Sequence, residues 1–395
     1  MYFYIVNLSL LHPDVQTFIR NYSEEISVLA LKGSPFEGIS APELIQQIEG
    51  FRRTKKKLPT WHQKDPIYFP PKLNVEQSSS EKTAKYKASL VSGRSLADCT
   101  GGFGVDSYYF SKVFDSVDHY ELDKVLSSIV KYNFKQFGIT NIHCVSTDGI
   151  NAIKDKKYEV IYVDPTRRHE AKGKVFFLKD CEPYIVDHLS NLLENCDTLL
   201  LKTSPMLDIA VGLDELDDVA QIHVVAVDNE VKELLWVLRK KGSETIEIKT
   251  VNIGKSSTEN FGFIYGEAAL PSYGSPRHYL YEPNRALLKA GAFNNISEVF
   301  HMDKLHPNSH LYTGDQLIDF PGRRFKIVQQ IPYNKRDMKQ YISNSTANVA
   351  TRNFLESVKD LRKKWKIKDG GNRYLFFTTT LDDHKVVLDC IKVTA

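Results

Sequence analysis

The sequence predicts an α/β fold: a doubly wound parallel sheet, preceded by a helical region and followed by a small α+β domain. Three observations predict it. Between residues 95 and 228, short near-continuous apolar runs alternate with helical periods, the pattern of a parallel sheet covered on both faces. The turn after the first run is glycine-rich (Gly101, Gly102, Gly104) and opens a helix. Acidic residues close the first four runs, Asp98, Glu121, Asp148 and Asp164, at the sheet edge where open α/β folds gather their ligands.

Composition bounds the rest. The 395 residues suit two to three domains at about 150 residues each. With 52 Lys+Arg against 49 Asp+Glu the net charge is +3, which excludes a histone-like polycation and leaves nucleic-acid contact to local patches. No stretch approaches the roughly 18 consecutive apolar residues of a membrane span, so no membrane partner is expected. The opening MYFYIVNLSLL lacks a basic start and a cleavage site, unlike a signal peptide. Five cysteines (Cys99, Cys144, Cys181, Cys196, Cys390) form no CxxC pair, so no metal is expected, and reduced thiols in the cytoplasm are.

In order along the chain, residues 1–73 read as a helical region. Residues 23–31 run into Gly33, and Ser40 with Glu43 forms a capping box ahead of Leu44, Ile45, Ile48 and Phe51. The proline-punctuated stretch 65–73 suits an extended connector. Ser78 with Glu81 can cap a helix running to about Val91. Residues 74–270 form the central domain, with strands at 95–100, 116–122, 142–147, 158–164, 197–204 and 222–228 and a closing antiparallel pair near its end. Residues 271–395 form the last domain. It begins as a linker rich in Pro, Gly, Ser and Tyr, then alternates strands with helices near Lys335–Tyr341 and over 355–364.

The chemistry concentrates between Asp98 and Asp106. Gly101, Gly102 and Gly104 let the backbone approach a ligand and turn sharply into the helix. Glu121 ends the second strand, where a carboxylate can accept hydrogen bonds from a ribose diol; Asp123 reads as the cap of the next helix. A dinucleotide site wants G-x-G-x-x-G, but Ser107 takes the third glycine's place and Asp106 stands at the helix start. A negative side chain there repels pyrophosphate and suits a ligand with an ammonium and a sulfonium group, such as S-adenosylmethionine. Asp148, followed by Gly149, lies where an adenine amino group could bind, and Asp164-Pro165 sits at the lip of the switch-point crevice. The segment 202–205 ends the fifth strand, so Lys202 and Ser204 either wall the acceptor pocket or turn the chain.

On these residues the central region resembles a Rossmann-like class I S-adenosylmethionine-dependent methyltransferase. The resemblance makes the segment Asp98, Thr100, Gly101, Gly102, Phe103 and Gly104 its motif I, Glu121 with Leu122 the ribose side, Asp148 and Gly149 the adenine side, and Asp164-Pro165 the catalytic motif IV. The opening D-C-T-G-G-F-G-V-D also resembles bacterial small-subunit rRNA guanine-N2 methyltransferases. V-D-P-T-R-R, Y-L-Y-E-P-N (279–284) and L-R-K-K-W-K-I-K-D-G-G (361–371) resemble a methyltransferase family with a THUMP-like C-terminal domain. That likeness covers nearly the whole chain, including 77–87, and it brings Ser78, Ser79 and Glu81 near the cofactor. Thr100 stands where motif I usually has glycine. Thr166 and Arg167 replace the proline and aromatic of amino-methylating enzymes; the guanidiniums of Arg167 and Arg168 can stack on a base or hold a phosphate.

The function expected is methylation of an exocyclic amine of a base in rRNA or tRNA by a monomer, Asp164 accepting hydrogen bonds from the amine. Basic clusters at 51–57 and 361–368, interleaved with Phe51, Trp61 and Trp365, fit RNA or a solvated helix face; the 321–325 segment could extend that surface. The alternatives are a methyltransferase for a small molecule or protein, and a non-catalytic RNA-binding adaptor.

Overall fold

The structure, a computed structural model, describes residues 7–167, 177–240 and 243–393. The chain divides into two compact units, Met1–Gln221 with Leu234–Glu244, and Ile222–Glu233 with Thr245–Ala395.

The first unit opens with α1 (Pro13–Asn21), α2 (Ile26–Lys32), α3 (Ala41–Lys57), α4 (Pro59–Gln63), α5 (Lys72–Gln77) and α6 (Glu81–Ser89). The expected capping box starts α3: Ser40 Oγ accepts from the Glu43 amide, and Glu43 Oε2 accepts from the Ser40 amide at 2.8 Å. Ile19, Leu29, Leu44 and Ile48 form the buried face of these helices, with Leu10 from the turn before α1 and Ile129 of α8 (Lys124–Gln136). The connector is pinned to α8 at one point, where the Asn133 amide exchanges two hydrogen bonds with the Tyr68 backbone. One expected cap differs. Ser80, rather than Ser78, starts α6, because Glu81 is drawn inward to Thr60 and to the Tyr109 hydroxyl at 2.9 Å.

Strands β1 (Gly93–Asp98), β2 (Phe114–Tyr120), β3 (Ile142–Val145) and β4 (Tyr158–Val163) run parallel, with α7 (Val105–Phe110), α8 and α9 (Gly149–Ala152) between them. After an antiparallel pair, β5 (Thr166–Arg167) and β6 (Cys181–Glu182), α10 (Leu189–Glu194) leads to β7 (Cys196–Thr203), parallel to β4. Then come α11 (Ile209–Glu215), β8 (Val219–Val227), whose chain passes to the second unit at Ile222, and β9 (Glu230–Leu238), which belongs to the first unit from Leu234. Within this unit the order is β9-β7-β4-β1-β2-β3, so the order reverses between β1 and β4. This bears out the doubly wound sheet. The sequence reading lacked β9, which lies antiparallel on β7. Asp228 and Asn229, at φ 50° and 63°, form a two-residue turn that joins β8 to β9, and so short a link sets β9 antiparallel to β8 as well.

In the second unit β10 (Glu247–Ile253) and β11 (Thr258–Ile264) form the expected antiparallel pair. A second sheet follows: β12 (Ser272–Tyr273), β13 (Tyr279–Pro283), α12 (Arg285–Ala290), α13 (Phe293–Phe300), β14 (Asp303–Lys304), β15 (Tyr312–Gly314), β16 (Gly322–Pro332), α14 (Lys335–Tyr341), β17 (Asn348–Arg352), α15 (Val358–Trp365), β18 (Arg373–Thr379) and β19 (Lys385–Lys392). Its order is β12-β14-β15-β13-β16-β19-β18-β17, a mixed α+β domain as expected. The stretch read as a linker is folded from β12 onward; β12, β14 and β15 are too short to show a period. Among the described residues no helix is long and apolar enough to cross a membrane.

Candidate active site

The tips of β1, β2, β3 and β4 are tied to one another through the segment after β1. The Cys99 amide donates to Tyr162 O at the end of β4, and the Gly101 amide to Tyr120 O at the end of β2. The Gly102 amide donates to Glu121 Oε2 at 2.9 Å. Thr100 Oγ1 accepts from the Asp164 amide at 2.7 Å. Gly149, after β3, lies so close that a Cβ there would stand 2.4 Å from Cys99 O. Hence the segment 98–104, Glu121, Gly149 and Asp164 lie together at one edge of the sheet.

Close approach explains two of the glycines. A Cβ on Gly101 would fall 1.8 Å from Nδ1 of the buried His119 ring, and one on Gly104, at φ 76°, would meet Val130 and Phe134 of α8 at 2.7 Å. Gly102 is the exception. The nearest atom to a Cβ there is Thr100 O at 3.8 Å, so its outer side faces open space.

The acids divide into two kinds. Glu121 is partly buried and also accepts from the Asp123 amide at 2.7 Å; burial raises its pKa. Asp123 caps α8, as expected. Asp148 is exposed and caps α9 through the Asn151 amide. Leu122 beside Glu121 is 73% exposed. Asp98, in contrast, is 1% exposed, with one oxygen on the Thr100 amide and the other on Ser107 Oγ at 2.6 Å. Burial, reinforced by Asp106 and Asp164, pushes its carboxyl up to about 7. It braces the turn from beneath.

Asp106 takes a different place from the one its position in the sequence suggests. Its carboxylate is buried and accepts from Ser79 Oγ at 2.8 Å and Tyr162 Oη at 3.0 Å, and it pairs with Lys87 at 3.1 Å. Burial opposes its ionisation, but Lys87 and Lys202 outweigh it and hold the pKa below the usual value. Its charge is spent inside the protein. Ser79, which the family resemblance sets near the cofactor, reaches Asp106 from just before α6; Lys87, on α6, has no local pattern that marks it. Phe103 likewise turns inward, 3% exposed, against Trp61 at 6.2 Å.

At the β4 and β7 tips, Lys202 Nζ donates to Asp164 Oδ2 at 2.5 Å, and Pro165 is buried. Ser204 turns the chain, accepting from the Met206 amide. Arg167 lies in β5, and Arg168 lies outside the described residues.

The expected aromatic interleaving of the basic clusters is not there. Trp61 is 1% exposed among Tyr108, Tyr109 and Phe137, Phe51 stacks on His62, and Trp365 is buried in a core of the second unit. Apolar rings at helical spacing serve packing first. Many of the cations are committed too. Arg52 holds the Tyr22 and Glu24 carbonyls, Arg53 pairs with Glu76, and Arg323 and Arg352 both hold the buried Glu282. Lys55, Lys56, Lys363, Lys366 and Lys368 stay exposed.

Residues 279–321 match a ferredoxin-like domain family, and residues 322–391 a THUMP domain-like family. No curated protein matches the chain. A crystal structure of a protein from Porphyromonas gingivalis W83, assigned as a methyltransferase, is 31% identical and similar over 100% of both chains, with a TM-score of 0.89. Partial likenesses include a protein of Listeria monocytogenes assigned as a class I S-adenosylmethionine-dependent methyltransferase (11% identity, 53% of this chain and 73% of that one, TM-score 0.37). An rRNA methylase of Streptococcus thermophilus is another (14%, 40% and 93%, TM-score 0.30).

Proposed function

Because this chain belongs to the methyltransferase family of the Porphyromonas gingivalis protein, we propose that it methylates an exocyclic amine of a base in rRNA or tRNA, with S-adenosylmethionine as donor. The observation that carries this reading is the bonded constellation of four strand tips around Gly102. The open side of Gly102, backed by the braced Gly101 and Gly104, fits the close approach of a cofactor to bare backbone. Glu121 keeps lone pairs for ribose hydroxyls, Asp148 for an adenine amino group, and Leu122 offers an apolar edge. Asp98 and Asp106 act as positioning residues below the turn. When bound, the cofactor supplies an electrophilic methyl group.

The chain's own work is to orient the acceptor and take its proton. Lys202 fixes Asp164 through Oδ2, which leaves Oδ1 to accept a hydrogen bond from the amine and aim its lone pair. Once nitrogen has gained a carbon it carries a surplus proton, and Oδ1 is placed to receive it. An RNA base must leave its stack to reach such a site. RNA capture falls to residues 271–395, where Lys363, Lys366 and Lys368 stand exposed in the THUMP domain-like segment.

The test joins calorimetry with S-adenosylmethionine to mass spectrometry of nucleosides from treated RNA. Asp164→Ala should bind the cofactor like the parent and lose about 10²–10⁴-fold in turnover. An unchanged rate removes Asp164 from the mechanism, and absence of cofactor binding in the parent leaves the adaptor. The sequestered rings of Trp61 and Trp365 favour a second reading, a small-molecule or protein acceptor; methylation of no RNA nucleoside would establish it over the first.

A further inference from the structure

The second unit holds a cavity of about 810 Å³ that the proposed methyl transfer does not use, within the usual range of ligand pockets. At its wall Lys304, on β14, is 2% exposed. Its ammonium donates to Asn294 Oδ1 at 2.9 Å and lies 5.7 Å from the centre of the Tyr273 ring. Among the described residues it has no carboxylate partner. Asp303, its neighbour, is committed to Arg277, and the one carboxylate of the lining, Glu267, is exposed and makes no ion pair with it.

A buried ammonium with a neutral amide and a ring face but no carboxylate beside it is costly, and burial accordingly lowers the Lys304 pKa. A second group shows the same want. His310 stacks on Phe293 at 3.6 Å, and its buried Nδ1 has no hydrogen-bond partner. Both line the cavity, together with the start of α13, which no side chain caps. The rim carries Tyr265 and Tyr273, 41% and 37% exposed, flat surfaces on which a ring can lie.

We propose that this cavity binds a small nucleotide, its phosphate monoester countering Lys304 and its base lying against the rim tyrosines. Lysine is an ordinary phosphate ligand, and a dianion supplies the charge that Lys304 lacks together with an acceptor for a His310 N–H. Binding there does not depend on the proposed transfer chemistry.

The probes are UMP, uridine and inorganic phosphate, titrated into the full chain with S-adenosylhomocysteine in excess, so that the proposed cofactor site of the first unit is filled. UMP should bind and raise the melting temperature, uridine should not, and phosphate should bind at least about tenfold more weakly than UMP. Lys304→Met should lose about tenfold or more of the UMP affinity while keeping a cooperative melt. Should that variant fail to fold, Tyr273→Ala at the rim serves instead, and it should weaken UMP more than phosphate. No UMP binding at millimolar concentration, or equal UMP binding by parent and Lys304→Met, overturns the proposal; phosphate binding as tightly as UMP overturns the nucleotide assignment.

Discussion

Single side chains beneath the glycine turn carry opposite pH signatures. The Asp98 carboxyl sits near 7 in the folded chain, against an ordinary value of 3.8. Between those values the folded protein keeps a proton that the unfolded chain has released, so this group's contribution to stability falls as pH rises from about 4 to about 7. Asp98→Asn should therefore gain on the parent in melting temperature as pH rises through that window. Asp106 works the other way. Its lowered pKa gives stability that is present at neutral pH and lost as pH falls through the folded value. Removing its partner by Lys87→Met strands a buried carboxylate and should cost about 3–5 kcal/mol in urea unfolding, much of it recovered by adding Asp106→Asn. Gly101→Ala drives a methyl into the His119 ring; overpacking of this kind costs about 1–3 kcal/mol, and cofactor binding measured by calorimetry should fall with it.

Among the elements, those with a clear period were legible and those without one were not. β1 to β4, β7 and β8 follow from their apolar runs, and α3 from its cap; Ser40→Ala should cost about 1 kcal/mol in thermal unfolding. β9 escaped because Glu230, Lys232 and Glu233 break its apolar run, although the Asp228-Asn229 pair between two strands was a usable signal. The span from β12 to β15 escaped because proline and glycine punctuate short strands. The strand-tip acids were legible because topology alone brings parallel strand ends together. The Asp106–Lys87 ion pair was not, since Lys87 reaches it from a helix whose docking is set by tertiary packing. The aromatics of the basic clusters misled for the same reason: hydrophobic spacing cannot tell a stacking platform from a core.

For the molecule as a whole, the proposed RNA capture should be read through salt. Reversing Lys363, Lys366 and Lys368 should flatten the dependence of affinity on salt by about one unit of slope for each phosphate the variant no longer neutralises, with folding intact. Reversing Arg52 or Arg53 should instead lower the melting temperature, since those guanidiniums hold backbone carbonyls and Glu76. The threading of the chain sets a last condition. The polypeptide enters the second unit at Ile222, returns at Leu234 to lay Leu234–Leu238 along β7, and departs again at Thr245. Neither unit is therefore a continuous piece of chain. A nascent polypeptide stalled at Glu244 would own everything its first unit needs, yet still trail an aliphatic ribbon (Ile222, Val224, Val225) whose pairing strand β10 has not been synthesised. Such a bare edge invites clumping, so split halves should stay in solution only when made side by side.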